Sequence, residues 1–179
     1  MEGCPISGKK ELIMSSAAKL LEQKEYREIT VLDLVADSGV NRNTFYYHFK
    51  DMPMLVLELA RKAVDSCFAS SKGNAEEKLC SLAERMCKSK VKIMHVYSSA
   101  DRAVFDKGLD ALCEYIASRL FSSNAEALGV GEAEKNNCLL LIKCSLYGFA
   151  SDWFSNGLDE SGIERLRGFC GCFSRIIKE

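Results

Sequence analysis

Proline is nearly missing from this chain, with two residues in 179, while Leu, Ala, Glu, Lys, Cys and Ser fill long stretches at helical spacing. Proline stops helices because it lacks the N–H the backbone ladder needs and its ring clashes with the preceding turn. Its scarcity, together with few alternating β-branched runs, restricts the chain to an all-α fold. Hydrophobic residues at 47% and charged residues at 27% suit a folded, globular chain. A chain of 179 residues holds one domain, or a small module joined to a larger one.

The nine cysteines invite a disulfide framework. We expect none, because residues 1–10 lack the apolar core of a signal peptide and the thiols sit within helical patterns. The expected location is cytoplasmic, without membrane partners, since nothing approaches ~18 unbroken apolar residues. Cys170 and Cys172 are one residue apart, too close for a zinc knuckle, and only two histidines exist. Buried, inert thiols are therefore expected, with no metal and no cofactor. A thiol sensor is the competing reading, and convergence of Cys67, Cys80, Cys87, Cys113, Cys138 and Cys144 would favour it.

Periodicity predicts a helix over 9–24, with Ile13, Ala17, Leu20 and Leu21 on one stripe. Residues 25–29 break the pattern. Thr30 then has N-cap character with Asp33 three residues on, which predicts a short helix ending at Ser38. Gly39 supplies the left-handed residue of a tight reversal. Asn41 can cap a third helix over 42–49. Two short helices around a glycine turn make a helix-turn-helix. Further helices are expected from Asp51-Met52-Pro53 to about 70, then over 75–89, 90–98, 100–122, 132–156 and 160–178. A loop over 124–131 separates the last two from the rest. No repeat of solenoid period is visible.

The net charge of −1 announces no nucleic-acid partner, so charge placement matters more than the total. Between Asn41 and Lys50, Arg42, His48 and Lys50 stand with no acid among them. Val40, Phe45 and Phe49 form the inward stripe of the third helix. That leaves Asn41, Arg42, Asn43, Thr44, Tyr46, Tyr47 and His48 at or near its outer side. Such a face suits a recognition helix that reads base edges in a major groove and holds phosphates with hydroxyl and imidazole groups. Taken singly, each residue has a plainer reading. Thr30 serves as a cap, Tyr46 as partial core, His48 as a surface histidine.

The run Gly39-Val40-Asn41-Arg42-Asn43-Thr44-Phe45-Tyr46-Tyr47-His48-Phe49-Lys50-Asp51 resembles the signature of TetR/AcrR-type transcriptional regulators, and the match covers residues 9–60. The resemblance implies an N-terminal three-helix helix-turn-helix DNA-binding domain over 1–52. A C-terminal helical ligand-binding and dimerisation domain would cover 53–179. Thr30 would bond a phosphate. Asn41, Arg42, Asn43 and Thr44 would face the groove and adjacent backbone, Tyr46, Tyr47 and His48 would anchor the backbone, and Lys50 would add charge. Arg42 is the chosen base reader, because its fork matches guanine O6 and N7. Two departures stand out: Val35 is larger than the small residue usual there, and Met52 replaces a second lysine.

Leu139, Leu146 and Phe149, with Leu166, Phe169 and Phe173 on the final helix, form either plain core or, as the resemblance implies, a four-helix homodimer interface. The family also implies an effector pocket, for which Met86, Met94, Tyr97, Phe105, Tyr115, Tyr147 and Trp153 are the wall candidates against a bland reading as core. A late pattern, Tyr147-Gly148, Trp153-Phe154 and Asn156-Gly157, is similar to the branch containing dihydroxyacetone-kinase regulators, some of which act through a protein partner.

The expected function is sequence-specific transcription regulation: a homodimeric repressor released from a palindromic double-stranded DNA operator by an unidentified small-molecule effector. Two alternatives stay open. One is a regulator or activator controlled by a protein co-regulator, and the other is a helical interaction module without DNA binding. An enzyme is not expected, since no nucleophile–base pair, metal set or phosphate loop has meaningful spacing.

Overall fold

Helix ends in this protein are set by short-range caps. The computed structural model describes residues 6–71, 73–122 and 131–176. Among these residues it is all-α, with nine α-helices and no strand. They are α1 Ile6–Gln23, α2 Val31–Ser38, α3 Arg42–His48, α4 Met52–Ser70, α5 Ala75–Lys88, α6 Lys90–Ser99, α7 Arg102–Ser122, α8 Glu132–Ser155 and α9 Ser161–Ile176. A single 3-10 turn, Tyr26–Glu28, fills the break after α1. The expected helices all appear within about three residues of their predicted ends, and α1 starts earlier than periodicity suggested. The loop expected over 124–131 lies outside the described residues except for Gly131, which caps α8.

The chain divides into two compact units, Met1–Ala60 with Val91–Gly108, and Arg61–Lys90 with Leu109–Glu179. In the first, Ile13, Met14, Ala17, Leu20 and Leu21 of α1 meet Ile29, Leu34, Phe45, Phe49 and Leu55 in one core. Leu34, Phe45 and Leu55 are wholly withdrawn from solvent, and side chains of this size each contribute roughly 1.5–3 kcal/mol when buried. Val35, the enlarged position, is half-buried against this core. Ion pairs at the rim join Lys10 to Glu58 at 2.9 Å and Lys19 to Asp37 at 2.5 Å. Exposed pairs of this kind add at most about 1 kcal/mol each.

Helix α6 is strapped onto the end of α1 and the 3-10 turn after it by three polar contacts and one apolar one. His95 Nδ1 lies 2.8 Å from the Leu21 carbonyl; a carbonyl only accepts, so Nδ1 carries the proton. Lys92 Nζ pairs with Glu22 at 2.7 Å, and the Arg27 N–H donates to Ser99 Oγ at 3.3 Å. Val96 packs against the shared core.

In the second unit, Val64, Cys67, Phe68, Cys80, Leu82, Cys113, Ile116, Leu120, Leu146, Phe154 and Leu166 are buried, and α5 packs on α9. Helix α8 ends in a Schellman pair, with the Leu158 N–H donating to the Trp153 carbonyl and the Gly157 N–H to the Phe154 carbonyl. The Trp153 indole N–H donates to the Asp159 carbonyl at 2.9 Å. Gly162 opens α9 directly against that indole: a Cβ there would lie 2.0 Å from Nε1. Phe149 and Phe169 stack at 5.9 Å, and Arg165 pairs with Asp152, which closes the α8–α9 corner.

The thiols require one correction to the sequence reading. Cys67, Cys80 and Cys113 are buried and Cys87, Cys138 and Cys170 half-buried, but Cys144 and Cys172 are exposed. Those two face solvent because they lie outside the apolar stripes of α8 and α9. Burial pushes the Cys113 thiol up to about 12 and Cys170 to about 11, and raises Cys80 in the same direction. Such thiols hold little thiolate at neutral pH and react slowly.

Candidate nucleic-acid interface

The site begins with two caps. Thr30, extended at φ −103°, accepts the Asp33 N–H at 3.2 Å through its hydroxyl. Its own N–H and O–H both donate to Asp33 Oδ2, at 2.8 and 2.6 Å. These bonds, led by the Thr30 hydroxyl, hold the Asp33 carboxyl below its usual range. Gly39 then reverses the chain at φ 69° and donates its N–H to the Val35 carbonyl at 3.1 Å. A side chain there would be strained, since the left-handed region crowds Cβ.

Asn41 starts α3. Its Oδ1 accepts the Thr44 N–H at 2.8 Å and the Thr44 hydroxyl at 3.0 Å. This leaves the Asn41 NH2 as the side chain's remaining donor. Phe45 and Phe49, one turn apart, are buried and stack at 5.8 Å. Burying that pair determines which side of α3 faces water.

All nine sequence-predicted interface residues are at least partly open to solvent. Thr30, Asn41, Arg42, Asn43, Tyr46, Tyr47 and Lys50 are exposed, with Thr44 and His48 half-buried. Tyr47 is 72% exposed and Tyr46 47%. Arg42 lies over the Tyr46 ring, 5.6 Å from its centroid, with Nη2 3.4 Å from the Tyr46 hydroxyl. The His48 ring meets Tyr47 edge-on at 5.0 Å, and its Nε2 is buried without a hydrogen-bond partner. Asn43, Tyr47 and Lys50 make no side-chain hydrogen bond among the described residues.

Sequence reasoning missed the Lys10 side chain, which sits 5.7 Å over the Phe49 ring while pairing with Glu58. Leu32, which helical patterning counts with Leu34 and Val35 among the apolar contacts of the second helix, is instead 64% exposed on α2 beside the Thr30 cap. The first involves residues far apart in the chain and leaves no local signal. The second breaks the apolar-inside pattern and is visible only once the α2 register is known.

The proposed pocket residues do not share one unit. Met94, Tyr97 and Phe105 belong to the first, and Met86, Tyr115, Tyr147 and Trp153 to the second. Tyr97 contacts Phe105 at 5.1 Å and its hydroxyl accepts from Arg102 at 3.1 Å. The Tyr115 hydroxyl donates to Asp65 at 2.6 Å, and Trp153 is buried at the α8–α9 corner. Met86 and Tyr147 are half-buried.

Of the expected interface on α8 and α9, Leu146 and Leu166 are buried in the chain's own core, and Phe149 and Phe169 pack on each other. Leu139 is half-buried, and the Phe173 side chain lies outside the described residues. Leu140 and Leu141, which the sequence reading passed over, are 55% and 50% exposed. Among the described residues no helix is long and apolar enough to cross a membrane, and no three of His, Cys, Asp and Glu could hold a metal ion.

Residues 13–59 match the model of the bacterial regulatory proteins of the tetR family. The chain is 31% identical over 103 residues to the HTH-type transcriptional regulator EthR of Mycolicibacterium smegmatis (strain ATCC 700084 / mc(2)155). That match covers 56% of this chain and 46% of EthR, so the chain spans about half the length of this curated relative. Its fold is similar to that of the dihydroxyacetone kinase operon activator DhaS, with a TM-score of 0.58 at 13% identity over 89% of this chain and 90% of DhaS. The N-terminal helix-turn-helix segment of this chain is thus similar to that of the tetR family of bacterial regulatory proteins.

Proposed function

We propose that the protein is a cytoplasmic, homodimeric transcriptional repressor that binds a palindromic DNA operator and releases it when a small-molecule effector binds. One observation carries this reading. Helix α3 and the two residues after it bury only Phe45 and Phe49 and leave Arg42, Asn43, Tyr46, Tyr47 and Lys50 in solvent, with no acid between Asn41 and Lys50. A surface helix gains nothing from two open tyrosines, whereas a groove supplies phosphates and base edges for them.

Within this reading residues 1–52 bind DNA and 53–179 regulate and dimerise. Arg42 reads a base, Asn41, Asn43 and Thr44 line the groove, and Tyr46, Tyr47, His48 and Lys50 face the backbone. Thr30 bonds a phosphate only if the phosphate displaces Asp33, which now takes both of its donors. A twin subunit sets the second α3 about 34–36 Å away, one helical turn along the duplex. Leu140 and Leu141 are the exposed apolar residues of α8 that a twin would cover. The candidate effector contacts fall on each unit separately, Met94, Tyr97 and Phe105 on the first and Met86, Tyr115, Tyr147 and Trp153 on the second. An effector acts only through a difference in affinity between the operator-binding and free conformations.

The test is binding to the promoter region beside the protein's own gene across a salt series. Affinity is expected to fall steeply with salt, by a log–log slope of about −0.9 for each phosphate contacted. Arg42→Ala is expected to weaken operator binding by about 1–3 kcal/mol and to relax base preference. Binding that ignores salt, or an Arg42→Ala protein indistinguishable from the parent, would refute the reading.

A second reading is an activator, or a regulator controlled by a protein partner; the chain shares its fold with DhaS, which is named an operon activator. The late sequence pattern gains a plainer account from the structure, because Trp153, Phe154 and Gly157 build the α8–α9 corner.

A further inference from the structure

We propose that Tyr46 is a positioning residue that aligns the Arg42 guanidinium for base reading, in addition to any phosphate contact of its own. This rests on the groove reading of α3 above. The two residues stand four apart, so they share one helix face. The guanidinium lies 5.6 Å from the Tyr46 ring centroid, and Nη2 is 3.4 Å from the Tyr46 hydroxyl. Tyr46 is itself held: its ring meets Phe45 edge-to-face at 5.3 Å and 89°, and Phe45 is fully buried. A chain of contacts thus runs from the core through one ring to an exposed cation.

An unsupported arginine on a surface helix samples many rotamers, and ordering it on a base edge opposes binding. Stacking on a fixed ring removes part of that cost before DNA arrives. The Tyr46 hydroxyl takes one N–H of Nη2, which leaves the other guanidinium N–H groups for the two acceptors of a guanine. Asn43 and Lys50 have no such support among the described residues.

The test selects duplexes from a pool with a randomised central segment, using the full-length protein, and compares base preferences position by position. Arg42→Ala is expected to flatten one base pair per half-site by roughly fivefold or more. Tyr46→Leu is expected to weaken preference at that same base pair by roughly two- to fivefold, the strength of an exposed cation–π contact. Tyr46→Phe keeps the ring face and should lose less. In the Arg42→Ala background Tyr46→Leu should change that position no further. Thermal melting of each variant accompanies the selection, and Tyr46→Phe carries the comparison if Tyr46→Leu fails to fold.

If Tyr46→Leu lowers binding to all duplexes by one factor with base preferences intact, Tyr46 only holds the backbone and the inference falls alone. If the parent selects no sequence, the groove reading falls and takes the inference with it.

Discussion

The end of α3 and the end of α8 are both rich in aromatic residues, yet they use them in opposite ways. On α3 and its C-cap, Phe45 and Phe49 are buried while Tyr46 and Tyr47 stand 47% and 72% open. On α8, Trp153 and Phe154 are 2% and 6% exposed, and the Trp153 indole is hydrogen-bonded to Asp159 against Gly162. The α8–α9 corner spends its aromatics on its own stability. Helix α3 closes its share of the core with two phenylalanines and keeps two tyrosines in water. Aromatic content alone therefore says little about function; an aromatic ring that the fold does not need says more.

This contrast can be broken or sharpened by substitution. The largest effect is expected from Phe45→Ala, which empties a fully buried site in the first unit and should cost about 3–5 kcal/mol in chemical denaturation. A loss under 1 kcal/mol would mean that α3 is not anchored through Phe45. Next comes Gly162→Ala, whose new Cβ must displace the Trp153 indole. Overpacking of this kind costs about 1–3 kcal/mol, and Trp153, the one tryptophan, reports it by fluorescence. An unchanged melting temperature would show that the corner has room to spare.

Thr30→Ala should cost about 1 kcal/mol through the lost cap on α2. The same capping box predicts a pH dependence. The Thr30 bonds depress the Asp33 carboxyl in the folded state, and the Lys19 bond depresses Asp37. Their support is therefore present above the ordinary carboxylate range and fades as pH falls through the lowered folded values. An acid titration of Asp33→Asn that matched the parent curve would remove Asp33 from this account. The smallest stability effect is expected from Tyr47→Ala, within about 0.5 kcal/mol at so open a site. It should nonetheless weaken binding to every duplex tested. A protein destabilised by Tyr47→Ala, or one that binds DNA as well as before, would erase the contrast between the two helices.

Much of the candidate site's local geometry was legible because its signals are local. The Thr30–Asp33 box, the Gly39 reversal and the Asn41–Thr44 cap each act over three to five residues, within reach of simple spacing rules. The Phe45–Phe49 stripe then oriented α3. The open face of α8 was not legible for the opposite reason. Leu139, Leu140, Leu141 and Ile142 run round the circumference of α8, so periodicity cannot choose between a face turned inward and one left open. The partners of the pocket candidates were equally hidden, because Tyr97, Tyr115 and Trp153 find their hydrogen-bond partners only in the folded chain.

By itself the sequence determined the helical class, the places where helices start and stop, and the outward face of α3, since each follows from backbone chemistry within one or two turns. Tertiary structure alone decided that α6 is strapped to α1 through His95 and Lys92, that Lys10 caps the Phe49 ring, and that Trp153 closes a corner. Those contacts join residues that only the folded chain brings together, and their geometry depends on which apolar surfaces are buried first.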